Sequence, residues 1–153
     1  MREQLKKKPL AENRRARYDY EILDVYEAGL VLHGYEVKSI KTGRVSLKGA
    51  YVVAKDNELF LINAFIPPYQ PANTPDDYNP KRSRKLLLNK SEIKSLIGKS
   101  KEKGLTLVPL RLYTKRGKIK LGFAVAKGKR KTDKRELIKK REVEREINRI
   151  KYK

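Results

Sequence analysis

Few side chains in this 153-residue chain could do covalent chemistry. His33 is the single histidine, at the end of a predicted strand, with no second histidine to share a metal and no Ser-Asp pairing to make a triad. A packing or solvent role is expected for it. Cysteine is absent, which removes disulfides, thiolate metal sites and thiol nucleophiles together. Gly117-Lys118 and Gly128-Lys129 lack the glycine spacing and the following Ser or Thr of a phosphate-binding loop. Asp76-Asp77 lie in a Pro-rich stretch where exposure keeps both ionised and idle. No catalysis, cofactor or metal is expected. What remains is ionic chemistry, concentrated in Lys81-Arg82-Ser83-Arg84-Lys85 and Lys127-Gly128-Lys129-Arg130-Lys131, where closely spaced cations suit phosphate.

The whole composition points the same way. Lys+Arg number 39 against 18 Asp+Glu, a formal net charge of +21. So large a field of one sign costs self-repulsion unless an anionic partner is near. A membrane partner would need an apolar span, and runs such as Leu86 to Leu88 and Phe123 to Ala126 fall far short of the roughly 20 residues required. No apolar stretch follows the Lys-rich Met1 to Pro9 as a secretory signal demands, so a cytoplasmic location is expected. Nucleic acid is the partner that composition favours.

Charge divides the chain into three. Residues 1–17 hold 7 basic and 2 acidic residues and read as a basic N-terminal arm. Residues 18–126 hold 19 and 11, and contain the β-branched and aromatic alternation of a folded domain. Residues 127–153 hold 13 and 5, the most charge-dense part, and read as a tail.

The elements that would position these cations are mostly strands. Leu105 to Tyr113 and Lys118 to Ala126 form a predicted hairpin around Thr114-Lys115-Arg116-Gly117. Ile119, Leu121, Phe123 and Val125 alternate with Lys118, Lys120, Gly122 and Ala124, so one face is buried while part of the other offers lysines. A second hairpin runs Tyr51 to Lys55, turns at Asp56-Asn57 and returns through Glu58 to Ala64. Further strands are expected over Asp19 to Tyr26 and Leu30 to His33, hinged at Gly29, and from Val45 toward Tyr51. A helix is expected from Asn89, with Asn89 and Glu92 as capping pair, Ile93, Leu96 and Ile97 as apolar stripe and Gly104 as terminator. A shorter helix around Tyr35 to Lys41 buries Val37 and Ile40. The fold class is mainly β, a small antiparallel OB-like barrel with about three helices and a basic C-terminal tail.

Five prolines between Pro67 and Pro80 mark a long surface loop, and its basic end, Lys81 to Lys85, is expected to contact phosphate rather than be merely solvated. In the tail, Asp133 and Glu136 suit a helix start, and Val143, Ile147 and Ile150 recur at helical spacing. Those three apolar residues are too few to fold alone, so order is expected on binding.

Several stretches together resemble one family. They are Asn13-Arg14-Arg15-Ala16-Arg17, Tyr26-Glu27-Ala28-Gly29-Leu30, Gly34-Tyr35-Glu36-Val37-Lys38-Ser39, Arg84-Lys85-Leu86-Leu87-Leu88, Leu112-Tyr113, Ala126-Lys127-Gly128-Lys129 and Asp133-Lys134-Arg135. In order and spacing the chain resembles bacterial small protein B, the SsrA-binding proteins. The resemblance implies an OB-like barrel that binds the tRNA-like domain of tmRNA and escorts it into the vacant A site of a stalled ribosome, at the small-subunit decoding site and mRNA channel. It implies a monomer with no reaction of its own. RNA binding would rest on Asn13, Arg14, Arg17, Tyr18, Glu27, Lys38, Leu87, Asn89, Lys118 and Lys120. Gly128, Lys129, Arg130, Asp133, Lys134 and Arg135 would engage the ribosome. Taken on its residue type, Leu87 in a run of three leucines reads as core, and Glu27 as an ordinary strand-end acid. Thr132 and Tyr18 depart from the family, which commonly has an aromatic ring or histidine at the first and histidine at the second. The competing function is a single-strand OB-type binder or basic ribosomal protein, which wants aromatic stacking platforms; three Phe, nine scattered Tyr and no Trp show none in the linear sequence.

Overall fold

The computed structural model describes residues 9–129 and Arg145. Seven antiparallel strands follow in chain order: β1 Ala11–Glu12, β2 Tyr20–Leu30, β3 Tyr51–Lys55, β4 Glu58–Ile62, β5 Arg84–Leu87, β6 Leu105–Lys115 and β7 Lys118–Gly128. Helices α1 Ala16–Asp19, α2 Gly34–Lys41 and α3 Lys90–Ser100 interrupt them. The sheet order is β1-β6-β3-β4-β5-β2-β7, and β6 also pairs β7, so six strands close a barrel with β1 added at β6. The antiparallel barrel with helices is thus the class expected.

Both predicted hairpins form. Asp56 and Asn57 take φ of 53° and 60°, and Arg116 and Gly117 take 52° and 78°, the paired left-handed conformations that two-residue hairpin turns use. Inward alternation stacks Leu59, Leu61, Leu86, Leu112, Leu121 and Phe123 into the barrel core, all fully buried, with Ile40 of α2 and Leu96 of α3 added from the helices.

Three expectations are corrected. Tyr20 to Leu30 is one strand, and Gly29 is no hinge: it pairs with Leu87 on one side and Lys120 on the other. The irregularity falls instead between Ile22 and Asp24, leaving Leu23 46% exposed. No strand forms from Val45 to Ala50; a single Ser46–Phe65 bridge precedes a turn with Gly49 at φ 75°. Asn89 occupies the N-cap position of α3 but its side chain makes no capping bond, and α3 ends at Ser100, ahead of Gly104, whose φ of 84° serves the turn into β6. On the second face of β7 the lysines occupy only the part near the hairpin turn, as expected, and Ala124 and Ala126 further along are buried.

Ala126 is covered by residues of the basic N-terminal arm. The Leu10 amide donates to the Leu112 carbonyl at 2.8 Å, and the Asn13 amide to the Leu110 carbonyl at 2.7 Å. α1 then lays Ala16 against Val108 and Ala126 in a second small apolar cluster.

Candidate nucleic-acid interface

The outer face of β2, β6 and β7 is built on register. Glu27 opposes Gly122, which opposes Arg111; Gly29 opposes Lys120, which opposes Tyr113. Alternation puts Lys118 and Lys115, paired at the hairpin end, on this same face. The two glycines matter because side chains lean across them. A Cβ at Gly122 would stand 3.3 Å from the Tyr113 ring, and one at Gly29 would stand 3.3 Å from the Leu87 Cβ and 3.7 Å from Lys120 Nζ. With no side chain at 122, the Tyr113 hydroxyl reaches Glu27 and donates to its Oε2 at 2.5 Å, while Lys115 Nζ donates to Oε1 at 3.2 Å.

Partial burial opposes ionisation of Glu27, but the hydrogen bonds from Tyr113 and Lys115 and the charges of Lys115 and Lys120 outweigh it, so its pKa lies below the usual carboxylate value. Burial and the adjoining Glu27 carboxylate push the Tyr113 phenol up. Between this face and the docked residues 9–17 lies a cleft of about 750 Å³, lined by Arg14, Arg17, Glu27, Arg111, Tyr113 and Lys115 among others. Glu12 also lines the cleft, but Glu27 is the acid held by a tyrosine hydroxyl and a lysine, and an ionised carboxylate so held among cations is an arrangement that suits RNA recognition: cations take phosphates, and the carboxylate accepts from a base edge.

A family described as SmpB protein matches residues 10–153. The chain belongs to the SmpB family. An SsrA-binding protein of Symbiobacterium thermophilum is 55% identical over 142 residues, covering 92% of this chain and 89% of that one. Its counterpart in Geobacillus thermodenitrificans is 52% identical, with 93% and 91% covered. A solved SmpB structure described as "tmRNA-SmpB: a journey to the center of the bacterial ribosome" superposes with a TM-score of 0.65 at 47% identity, over 83% of this chain and 92% of that one.

Of the residues the SmpB resemblance singled out, the fold gathers Arg14, Arg17 and Glu27 around the cleft with Asn13, and puts Leu87, Lys118 and Lys120 on the adjoining sheet face. Asn13 acts as an anchor there, its Nδ2 donating to the Pro109 carbonyl at 2.9 Å. Tyr18 carries the Arg15 guanidinium over its ring, 5.2 Å from the centroid. Asn89 is exposed at the β5–α3 junction, two residues beyond Leu87. Lys38 is exposed on α2 and is not among the cleft-lining residues. Gly128 pairs with Tyr20 at the end of β7, and Lys129 is held by the Asp19 carbonyl through its amide and by the Arg17 carbonyl through Nζ. Arg130, Asp133, Lys134, Arg135, Thr132 and the expected tail helix lie outside the described residues.

Two readings of single residues are overturned. Leu87 is 52% exposed, whereas Leu86 is fully buried, so residue 87 stands on the surface and not in the core. In the run Lys81 to Lys85, Arg84 is fully buried rather than aimed at phosphate. Its Nε and Nη2 donate to Glu36 Oε2 at 2.9 and 2.7 Å, and Nη1 to the Ala64 carbonyl at 2.6 Å. Arg82 donates to the other Glu36 oxygen, and the Tyr78 hydroxyl to Oε2 at 3.1 Å. Burial works against a charged Glu36, yet bonds from Arg82, the His33 amide and Arg84 hold its pKa below the usual value. Tyr113, Lys115 and Arg111 were missed as site residues; the β6 alternation that places them together was visible, but the reach of Tyr113 over Gly122 was not.

Proposed function

We propose that this chain binds the tRNA-like domain of tmRNA and brings it to the vacant A site of stalled ribosomes in the cytoplasm, so that unfinished peptides are tagged, while catalysing nothing itself. The observation that carries the reading is the Glu27 carboxylate, held ionised by Tyr113 and Lys115 beside Arg14, Arg17 and Arg111, in a chain of the SmpB family. A surface evolved for phosphate alone would have no use for that acid, whereas a folded RNA with exposed base edges does. The tail from Gly128 onward, with Arg130, Asp133, Lys134 and Arg135, is assigned to the ribosomal step, where its cations would meet rRNA phosphates.

Competition binding at physiological salt tests the RNA reading. The tRNA-like domain is expected to displace a labelled copy of itself far better than an unrelated duplex of equal length. Equal competition would reduce the function to generic RNA binding.

A further inference from the structure

The outer face does not end at Leu87. On β5, Lys85 stands opposite Phe60 of β4, and the Val31 amide donates to the Lys85 carbonyl at 3.0 Å. β4 in turn sets Phe60 opposite Val53 and Ile62 opposite Tyr51 of β3. Alternation puts Leu87, Lys85, Phe60, Ile62, Val53 and Tyr51 on one outward surface, while Leu86, Leu61, Leu59 and Val52 between them are buried. Leu87 and Tyr51, at the two ends of this surface, are 52% and 48% exposed, and Phe60, Ile62 and Val53 between them are half-buried. A single exposed apolar side chain is ordinary, but a register-aligned apolar strip that opens to solvent at both ends marks an interaction surface.

Its surroundings say what it meets. Lys85 flanks it, paired with the half-exposed Glu58 at 3.6 Å, and Lys55 is exposed at the end of β3. At its far end Tyr51 opens into a second cleft, of about 860 Å³, that Arg14, Arg15 and Lys48 also line together with Glu12 and Asp19, the last paired with Arg15 at 3.5 Å. Flat rings beside cations fit a nucleotide whose base is unstacked, the ring taking the base and the cations the phosphates. From β2 to β3 is three strand spacings, roughly 15 Å.

We infer that Tyr51 and Phe60 form a stacking platform for unpaired loop nucleotides of the bound RNA, extending the Glu27 interface across β5, with Lys85 at a phosphate. This deepens the RNA-binding reading and rests on it. The platform was invisible in the linear sequence because Tyr51 and Phe60 belong to different strands, and only the hairpin register puts them on one face, diagonal across the β3–β4 pair.

The chain has no tryptophan, so Tyr51→Trp in the full chain supplies a single reporter. Titration with the tRNA-like RNA is expected to quench its emission saturably, and a fully paired duplex is expected to leave it unchanged. Phe60→Ala is expected to weaken binding of the tRNA-like RNA roughly 5- to 150-fold, the range for losing one base–aromatic stack. Phe60→Leu, which keeps an apolar side chain and removes the ring, is expected to weaken it comparably. Wild-type affinity in Phe60→Leu, or quenching by the duplex equal to that by the tRNA-like RNA, would overturn the platform. So would Tyr51→Trp emission that responds to a ribosomal protein fraction and not to RNA. If the unmodified chain shows no preference for the tRNA-like RNA, it is the underlying function that fails, a separate readout from the platform's.

Discussion

Leu86 and Leu87 are adjacent in sequence and opposite in fate, which makes alanine substitution at each a controlled pair. Leu86 is fully buried in the barrel core, where truncation removes transfer energy and leaves a cavity, so Leu86→Ala is expected to cost about 2–5 kcal/mol. Leu87 is 52% exposed on the outer face. Complete burial of a leucine is worth about 1.5–3 kcal/mol, so a half-exposed one contributes roughly 1 kcal/mol, and no enclosed cavity forms when it is shortened. In thermal unfolding Leu87→Ala is therefore expected to lower Tm by a few degrees, about 2–8 °C per kcal/mol for domains of this size range, and Leu86→Ala by several times as much. In filter binding with the tRNA-like RNA, measured where both variants are folded, the order reverses: Leu87→Ala is expected to lose at least about fivefold, roughly 1 kcal/mol, and Leu86→Ala much less. Equal thermal losses for the two, or undiminished RNA affinity in Leu87→Ala, would refute the assignment of residue 87 to the interface.

Glu36→Gln leaves the Arg82 and Arg84 guanidinium groups without their counter-charge, and urea unfolding is expected to show a loss of about 3–5 kcal/mol. Because Glu36 and Glu27 have folded pKa values below the ordinary 4.5, their contribution is full once pH is well above that value and disappears as pH falls through the folded values. Urea midpoints should thus be level with respect to these groups from pH 5 to 8 and fall in acid, more shallowly in Glu36→Gln; an unchanged acid limb would contradict this. Tyr113→Phe is expected to raise the Glu27 carboxyl pKa, followed by carbon-13 NMR, and to weaken RNA binding, whereas an unmoved titration would show the hydroxyl contact to be idle. Deleting residues 130–153, which retains Lys129 on the Asp19 and Arg17 carbonyls, is expected to preserve tmRNA affinity within about threefold and abolish peptide tagging in a reconstituted stalled-ribosome assay; parallel loss of both would join the tail to the RNA site.

Local patterns were legible wherever the signal was local. Asp56-Asn57 and Arg116-Gly117 announce their hairpins because left-handed turn residues sit between alternating runs. The run Lys81 to Lys85 failed as a guide for the converse reason. Period-two alternation sends Arg84 inward with Leu86, and the buried guanidinium is tolerable because the Ala64 and Pro80 carbonyls accept from it and its counter-charge, Glu36, 48 residues earlier in the chain, meets it with two hydrogen bonds. Nothing near residue 84 signals that partner. Gly29 was misread in the same way, since a glycine that admits a neighbour's side chain looks in sequence like one that bends a strand.

The boundary of the site depends on a similar long-range fact. Alternation along β7 shows which residues share a face, but not how far along that face a second layer lies. Lys118, Lys120, Gly122, Ala124 and Ala126 all lie on the outward face of β7, yet the first is exposed and the last three are buried, with Ala16 of α1 packed over Ala126. The cleft opens where that cover stops, and Glu27, opposite Gly122, sits at the transition. Residues 10–17 therefore do two things at once: they seal the apolar end of the β6–β7 face, and they bring Arg14 and Arg17 to the rim of the polar end. A carboxylate placed one register pair further toward Ala124 would lie closer to the covered end, and one placed further toward Lys118 would stand in open solvent, where screening weakens its hold on a base edge. The position of Glu27 follows from where the docked arm ends.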